Sequence, residues 1–211
     1  MSRTLTPTRM AERLATERAD LDALLDEVLV AHIGLSLEDG PLVIPTGFAR
    51  DGDRLLFHGS TGSRWMRALA AGTPVCVTVT ALDALTVARS AFESGMQYRS
   101  ACLFGTCTAL TADEAARALD VFTERVLPGR TAEIRPSTSK ELAATMVLAL
   151  PIDVWSLKRS DDFAQDADAD VAGDAWAGVV PLVSGYGEPV PSPDLRAGID
   201  VPPSIRRLAT R

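Results

Sequence analysis

A mainly β domain, with six antiparallel strands closing into a small barrel and helices packed outside it, is the fold class this sequence predicts. Three observations carry the reading. Between positions 30 and 108, short apolar runs alternate with polar residues at the period of a strand. Turn segments such as Glu38-Asp39-Gly40 and Arg50-Asp51-Gly52-Asp53 separate those runs. The longer stretches with helical spacing lie before and after the block. Short connections between successive strands favour closure, which leaves no free edge.

The 211 residues, 46% of them apolar, suffice for one compact domain with a real core. We divide the chain into an N-terminal extension over 1–19, a barrel domain over 20–185 that includes an acidic loop at 160–175, and a proline-rich arm over 186–211. A net charge of −7 with scattered basic residues argues against a nucleic-acid surface, which needs clustered Lys and Arg. No apolar run is long enough for a membrane span, and Met1-Ser2-Arg3-Thr4 lacks the core of a signal peptide, so a soluble cytoplasmic protein is expected. Cys76, Cys102 and Cys107 show no CxxC spacing and are expected as buried small hydrophobes. With His32 and His58 as the two histidines, a histidine-rich metal centre is excluded.

In chain order, Thr6 caps a charged, Ala-rich helix that begins at Pro7 and runs to Arg18. A firmer amphipathic helix starts after Asp20, with Leu21, Leu24, Leu25 and Val28 on one face. Strands follow over 30–37, 42–49 and 54–58 as a meander. Pro45 cannot donate to a ladder, which places the second strand at an edge or interrupts it near Thr46 and leaves backbone groups free for a ligand. The strand ending in Phe57-His58-Gly59 then runs through Ser60-Thr61-Gly62 to Ser63, an N-cap for a helix from Arg64 to Ala71 stopped by Gly72. Amides at such a helix start, with nearby hydroxyls and the Arg64 charge, suit a phosphate. An ordinary cap beside a surface arginine accounts for the same residues.

Val75–Thr80, Leu85–Ser90 and Tyr98–Thr108 supply the remaining barrel strands, the first two joined by Leu82-Asp83-Ala84. Arg89 and Arg99 sit in or beside strands, where a guanidinium needs an anion; either pairs with Glu93 or serves a ligand. Thr111-Ala112-Asp113-Glu114 and Thr138–Glu141 read as capping boxes of two helices on the barrel's outside. Thr145–Leu157 returns as a strand bent at Pro151, closed by Lys158-Arg159 facing solvent. The aspartates from Asp161 to Asp174 lack an apolar period and mark a mobile loop, while prolines from Pro189 to Pro203 mark an extended arm.

The order of these pieces (apolar strand with Pro-Thr, Asp-Gly turn, Phe-His-Gly-Ser-x-x-Ser-Arg, Val-Cys-Val-Thr-Val-Thr, Ala-Arg-Ser-Ala-Phe, Tyr-Arg-Ser and Trp176-Ala177-Gly178-Val179) resembles the FMN-binding split barrels over about positions 20 to 185. Within them the chain is most similar to the pyridoxamine 5'-phosphate oxidase-related proteins that include the nitroimidazole-resistance group. The resemblance implies a homodimer with FMN between the barrels. Ser63 and Arg64 would hold the phosphate, Val43, Ile44, Pro45 and Thr46 with Phe57, His58, Gly59 and Ser60 would line the flavin, and Ser90, Tyr98, Arg99, Ser100 and Trp176 would lie beside it. Trp65 stands where pyridoxamine phosphate oxidases carry a lysine, so one phosphate contact is missing or comes from elsewhere, such as Arg99.

His58 is the one acid-base group of the motif, and it either serves a substrate at the flavin face or hydrogen-bonds the flavin without doing chemistry. The expected function is a flavin-dependent oxidoreductase on a small organic molecule, reduced by a donor such as a nicotinamide. Two alternatives stand beside it: a non-enzymatic flavin-binding or sensor protein, and a split barrel using deazaflavin or haem, the haem needing an axial ligand such as His58.

Overall fold

A computed structural model describes residues 11–208. Two antiparallel sheets wrap one core. The larger runs in the order β1 (Leu14–Ala15), β10 (Val154–Ser160), β7 (Gly95–Gly105), β6 (Val75–Val87), β2 (Val30–Leu37), β3 (Gly40–Gly47), and β11 (Gly178–Pro181) extends it by pairing with the far end of β6. The smaller runs β4 (Ala49–Asp51), β5 (Arg54–Ser60), β9 (Thr145–Pro151), β8 (Thr108–Ala109). The mainly β class is therefore as read from the sequence, with the barrel split into two sheets.

Alternation decides what each sheet buries. Ala31, Ile33 and Leu35 of β2, Val75, Val77 and Val79 of β6, and Ala101 and Leu103 of β7 point inward. Leu55 and Phe57 of β5 and Leu148 and Leu150 of β9 meet them from the smaller sheet. Helix α1 (Arg18–Glu27) closes the core with Leu21, Leu24 and Leu25, the spacing expected of its apolar face. The opposite face of β5 and β9 is covered by α3 (Ala112–Val126) through Ala115, Ala118 and Phe122 against Leu56, Val147 and Ala149. Glu114 accepts from the Thr111 amide at 2.9 Å, and Glu141 from the Thr138 amide at 2.7 Å at the start of α4 (Ser139–Ala144), so both capping boxes form.

β3 is an edge strand, as Pro45 requires, and it runs through the proline without interruption because the missing donor faces the open side. Several expectations are corrected. The strands expected at 75–80 and 85–90 are one strand, β6, whose register shifts between Leu82 and Ala84, so the supposed connection is a β-bulge and Ala88 to Ser90 lie beyond the strand. Pro151 does not bend one strand but marks the crossing from β9 in one sheet to β10 in the other. The helix expected to Arg18 gives way to a short 3-10 turn at Ala11–Arg13 and β1, its first part lying outside the described residues. Cys107 is buried, which pushes its thiol up to about 11, whereas Cys76 and Cys102 are half-buried on the outward face of the large sheet.

The acidic segment contains a short helix, α5 (Asp168–Val171), and is tied to the body at Asp166, whose carboxylate accepts from the Arg89 amide at 3.0 Å and from its guanidinium at 2.9 Å. After β11 the chain is extended, then ends in an unanticipated helix, α6 (Pro203–Leu208), where Ser204 donates its amide to Glu133 and Arg207 donates to the Pro128 carbonyl. Among the described residues no helix is long and apolar enough to cross a membrane.

Candidate functional site

The turn after β5 is built from its own hydrogen bonds. The Ser63 amide donates to the Ser60 carbonyl at 3.0 Å, the Gly62 amide to Ser60 Oγ at 3.2 Å, and the Thr61 amide to the Ala144 carbonyl at 3.1 Å. Helix α2 (Arg64–Ala70) follows, and Gly72, at φ +89°, stops it. Ser63 is the N-cap by position, yet its hydroxyl makes no capping bond. Gly59 is required for packing: a Cβ there would stand 3.0 Å from Met66 Cγ, so its absence lets α2 lie against β5. Arg64 forms a two-pronged pair with Asp39 of the β2–β3 turn at 2.7 and 2.8 Å. The pair is exposed and held by hydrogen bonds that a phosphate can replace.

The residues nominated from the sequence separate into groups. Phe57 is fully buried in the main core. His58 faces the other way, toward α3, with its ring edge-on to Phe122 at 4.5 Å between centroids and 80° between planes. Part of the ring stays open to solvent, and burial of the rest lowers its pKa below the usual histidine value, so the imidazole is neutral at neutral pH. Val43 and Pro45 point outward from the large sheet, while Ile44 and Thr46 point to its inner side. Tyr98 and Ser100 share that outward face, Ser100 Oγ lying 3.0 Å from Thr80 Oγ1.

From β3 to β7 this face spans three strand spacings, about 14 Å. His32, beside Pro45 and Thr78 in register, lies on it. A cavity of about 520 Å³ opens at its Asp39 end, lined by Gly34, Ser36, Pro41, Val43, Thr73 and Cys76. The structure thus brings Val43, Pro45, Tyr98 and Ser100 to one surface.

It does not bring Arg99 there. The Arg99 guanidinium is held by Asp83 at 2.6 and 3.0 Å and by Glu27 at 2.8 and 2.9 Å, at the end of α1. Glu93 is therefore the partner of neither strand arginine: Arg89 takes Asp166. Ser90 shapes the loop after β6, its hydroxyl accepting from the Glu93 amide and its carbonyl from the Ser94 hydroxyl. Trp176 is exposed and lies over Gly178, where a Cβ would come within 2.8 Å of its ring. Sequence reasoning missed Asp39, Asp83, Glu27 and Phe122 as partners, because each meets its group from a distant part of the chain. Asp39, in an Asp-Gly turn beside an expected strand end, carried some signal.

Residues 17–159 match the model of the pyridoxamine 5'-phosphate oxidase family. Among solved structures, the chain is similar to the FAD and heme binding protein from Mycobacterium smegmatis, at 52% identity over 93% of this chain and 97% of that one, TM-score 0.90. It is also similar to the flavocytochrome Anf3 from Azotobacter vinelandii, at 32% identity over 96% and 94%, TM-score 0.89. A protein from Bacteroides thetaiotaomicron described as a 5-nitroimidazole antibiotic resistance protein shares the fold at 18% identity over 69% and 85%, TM-score 0.58. A search of curated proteins finds no match.

Proposed function

The chain belongs to the pyridoxamine 5'-phosphate oxidase family of split barrels, and on that footing we propose that it is a redox protein binding both a flavin and a haem, the flavin being FAD. The observation that carries the haem is His58. Its imidazole is neutral, set in place by Phe122 and partly open, which is what an axial nitrogen ligand requires. The two solved structures that match nearly end to end are named for flavin and haem, or as a flavocytochrome. This favours the haem alternative over the simple FMN oxidoreductase expected from the motif order. The flavin reading rests on family membership and on the outward face bearing Val43, Pro45, Tyr98 and Ser100, with Ser63 and Arg64 nearby as an anion seat.

The flavin supplies hydride and single-electron chemistry and the haem iron single-electron chemistry. The protein's part is to hold and orient both, with a small reductant of the nicotinamide type and a small organic acceptor as reaction partners. The absorption spectrum of freshly purified protein tests this. A flavin band together with a Soret band, and FAD released on denaturation, are the expected results. A colourless protein that takes up neither group overturns the reading, and a flavin band alone after haem supplementation removes the haem.

A homodimer is part of the proposal. Val30, Val43, Leu82 and Val154 expose apolar side chains on the outward face of the large sheet, where no element of the described chain covers them. A second copy stacked there shields them. Leu82→Glu is expected to shift the sedimentation of the purified protein from dimer to monomer; an unchanged dimer refutes that face as the interface.

A further inference from the structure

From Leu182 to Pro202 the chain crosses the surface without helix or strand, yet both of its ends are fixed. The Leu182 amide donates to the Asp83 carbonyl at 2.9 Å, directly after β11. At the other end α6 is seated by Ser204, which is fully buried and donates its amide to Glu133 at 3.0 Å. Between these anchors, among the described residues, no hydrogen bond or ion pair joins 183–201 to the body of the protein. The Leu195 amide bonds the Ser192 carbonyl and the Ser192 hydroxyl bonds Asp194, both within the segment. Its apolar side chains are bare: Val183 and Val190 are each 89% exposed, and Tyr186, Leu195, Ile199 and Val201 are open to solvent as well. So many on one surface segment mark a contact with another molecule. Pro189, Pro191 and Pro193 stiffen the run, which lowers the entropy cost of holding it extended. The two solved structures that match 93% and 96% of this chain, at TM-scores of 0.90 and 0.89, cannot reach that coverage without part of the segment. Its course is thus a feature held in common with them.

We propose that residues 183–201 form an arm that lies across a second copy of this chain, each protomer clasping the other; the inference rests on the dimer reading above. The arm leaves from the face that the second copy covers. Val180 stands opposite Leu85 in register, both with exposed side chains, and Leu182 is tied to the backbone next to Leu82, so the apolar strip of that face runs on into the arm without a gap. The charges are complementary too. On the same face Lys158, opposite Ser100 in register, is half-buried and meets no carboxylate among the described residues. The arm carries Glu188, Asp194 and Asp200 against the single cation Arg196. A two-fold axis makes each of these contacts twice, so one segment adds to the interface from both sides.

Two measurements on the full-length protein test this. The first is chymotryptic cleavage after Leu182, Tyr186 and Leu195, followed in wild type above and below the concentration at which sedimentation shows the dimer to dissociate. Cleavage in the arm is expected to be about tenfold slower in the dimer. The second is the double variant Val183→Asp, Val190→Asp, whose side chains are almost wholly exposed in the single chain, so the monomer should keep its melting temperature. Its dimer dissociation constant is expected to rise about tenfold or more. Equal cleavage rates in a wild type shown to be a dimer, or an unchanged dissociation constant in the double variant, give the arm to another partner or to none and overturn the inference while the dimer stands. A wild type that sediments as a monomer at every concentration overturns both.

Discussion

Replacing His58 with alanine is expected to abolish haem binding, so that the Soret absorbance of protein supplemented with haem falls about tenfold or more while bound flavin is retained. The expectation follows from how the side chain is held. β5 turns Phe57 and Gly59 inward, which places His58 on the side covered by α3, where the edge-on contact with Phe122 fixes the ring. Burial lowers its pKa, so the lone pair that would bind iron is free of a proton at neutral pH. Protons compete for that lone pair only below the depressed pKa. Haem retention should therefore stay level through neutrality and fall in acid, at lower pH than an unperturbed imidazole would give. His32→Ala is the discriminating control, since His32 sits on the outward face of the other sheet. Loss of the Soret band in His32→Ala and its survival in His58→Ala would assign the ligand to the wrong histidine. Restoration of the His58→Ala spectrum by added imidazole would separate ligation from a folding defect.

Much of this fold was legible because its signals are local. The alternation in β2 and β6, the Asp-Gly turns, the Thr-x-x-Glu boxes and the edge position forced by Pro45 each depend on a few adjacent residues. What failed depended on distant partners. Leu82-Asp83-Ala84 has the composition of a turn, and it is a bulge only because β7 pairs along both halves of β6. Pro151 signals a break but cannot say that the two halves belong to different sheets. α6 begins at Pro203, a position proline favours at a helix start, yet it sits at the end of a proline-rich run that reads as extended. The site shows the same division. The nominated segments are on the chain where expected, but strand alternation sends Phe57 to the core and Arg99 to a carboxylate pair, leaving Val43, Pro45, Tyr98 and Ser100 on the open face.

Asp166→Ala is expected to release the acidic segment from the body, at a cost of about 2–4 kcal/mol. The Asp166 side chain is 2% exposed and is the anion that both the amide and the guanidinium of Arg89 address. Arg89 Nε is already buried without a hydrogen-bond partner, so removing the carboxylate leaves a partly buried cation with its principal contact gone. The penalty sits below that of a fully buried pair because Arg89 keeps 28% exposure and water can reach it. Limited proteolysis should show faster cleavage between positions 160 and 175, with a lower melting temperature. Arg89→Met, which removes the charge that needs an anion, should recover part of the loss in the Asp166→Ala background, the behaviour of a coupled pair. Cleavage at the wild-type rate would mean that the segment is held by contacts other than this pair.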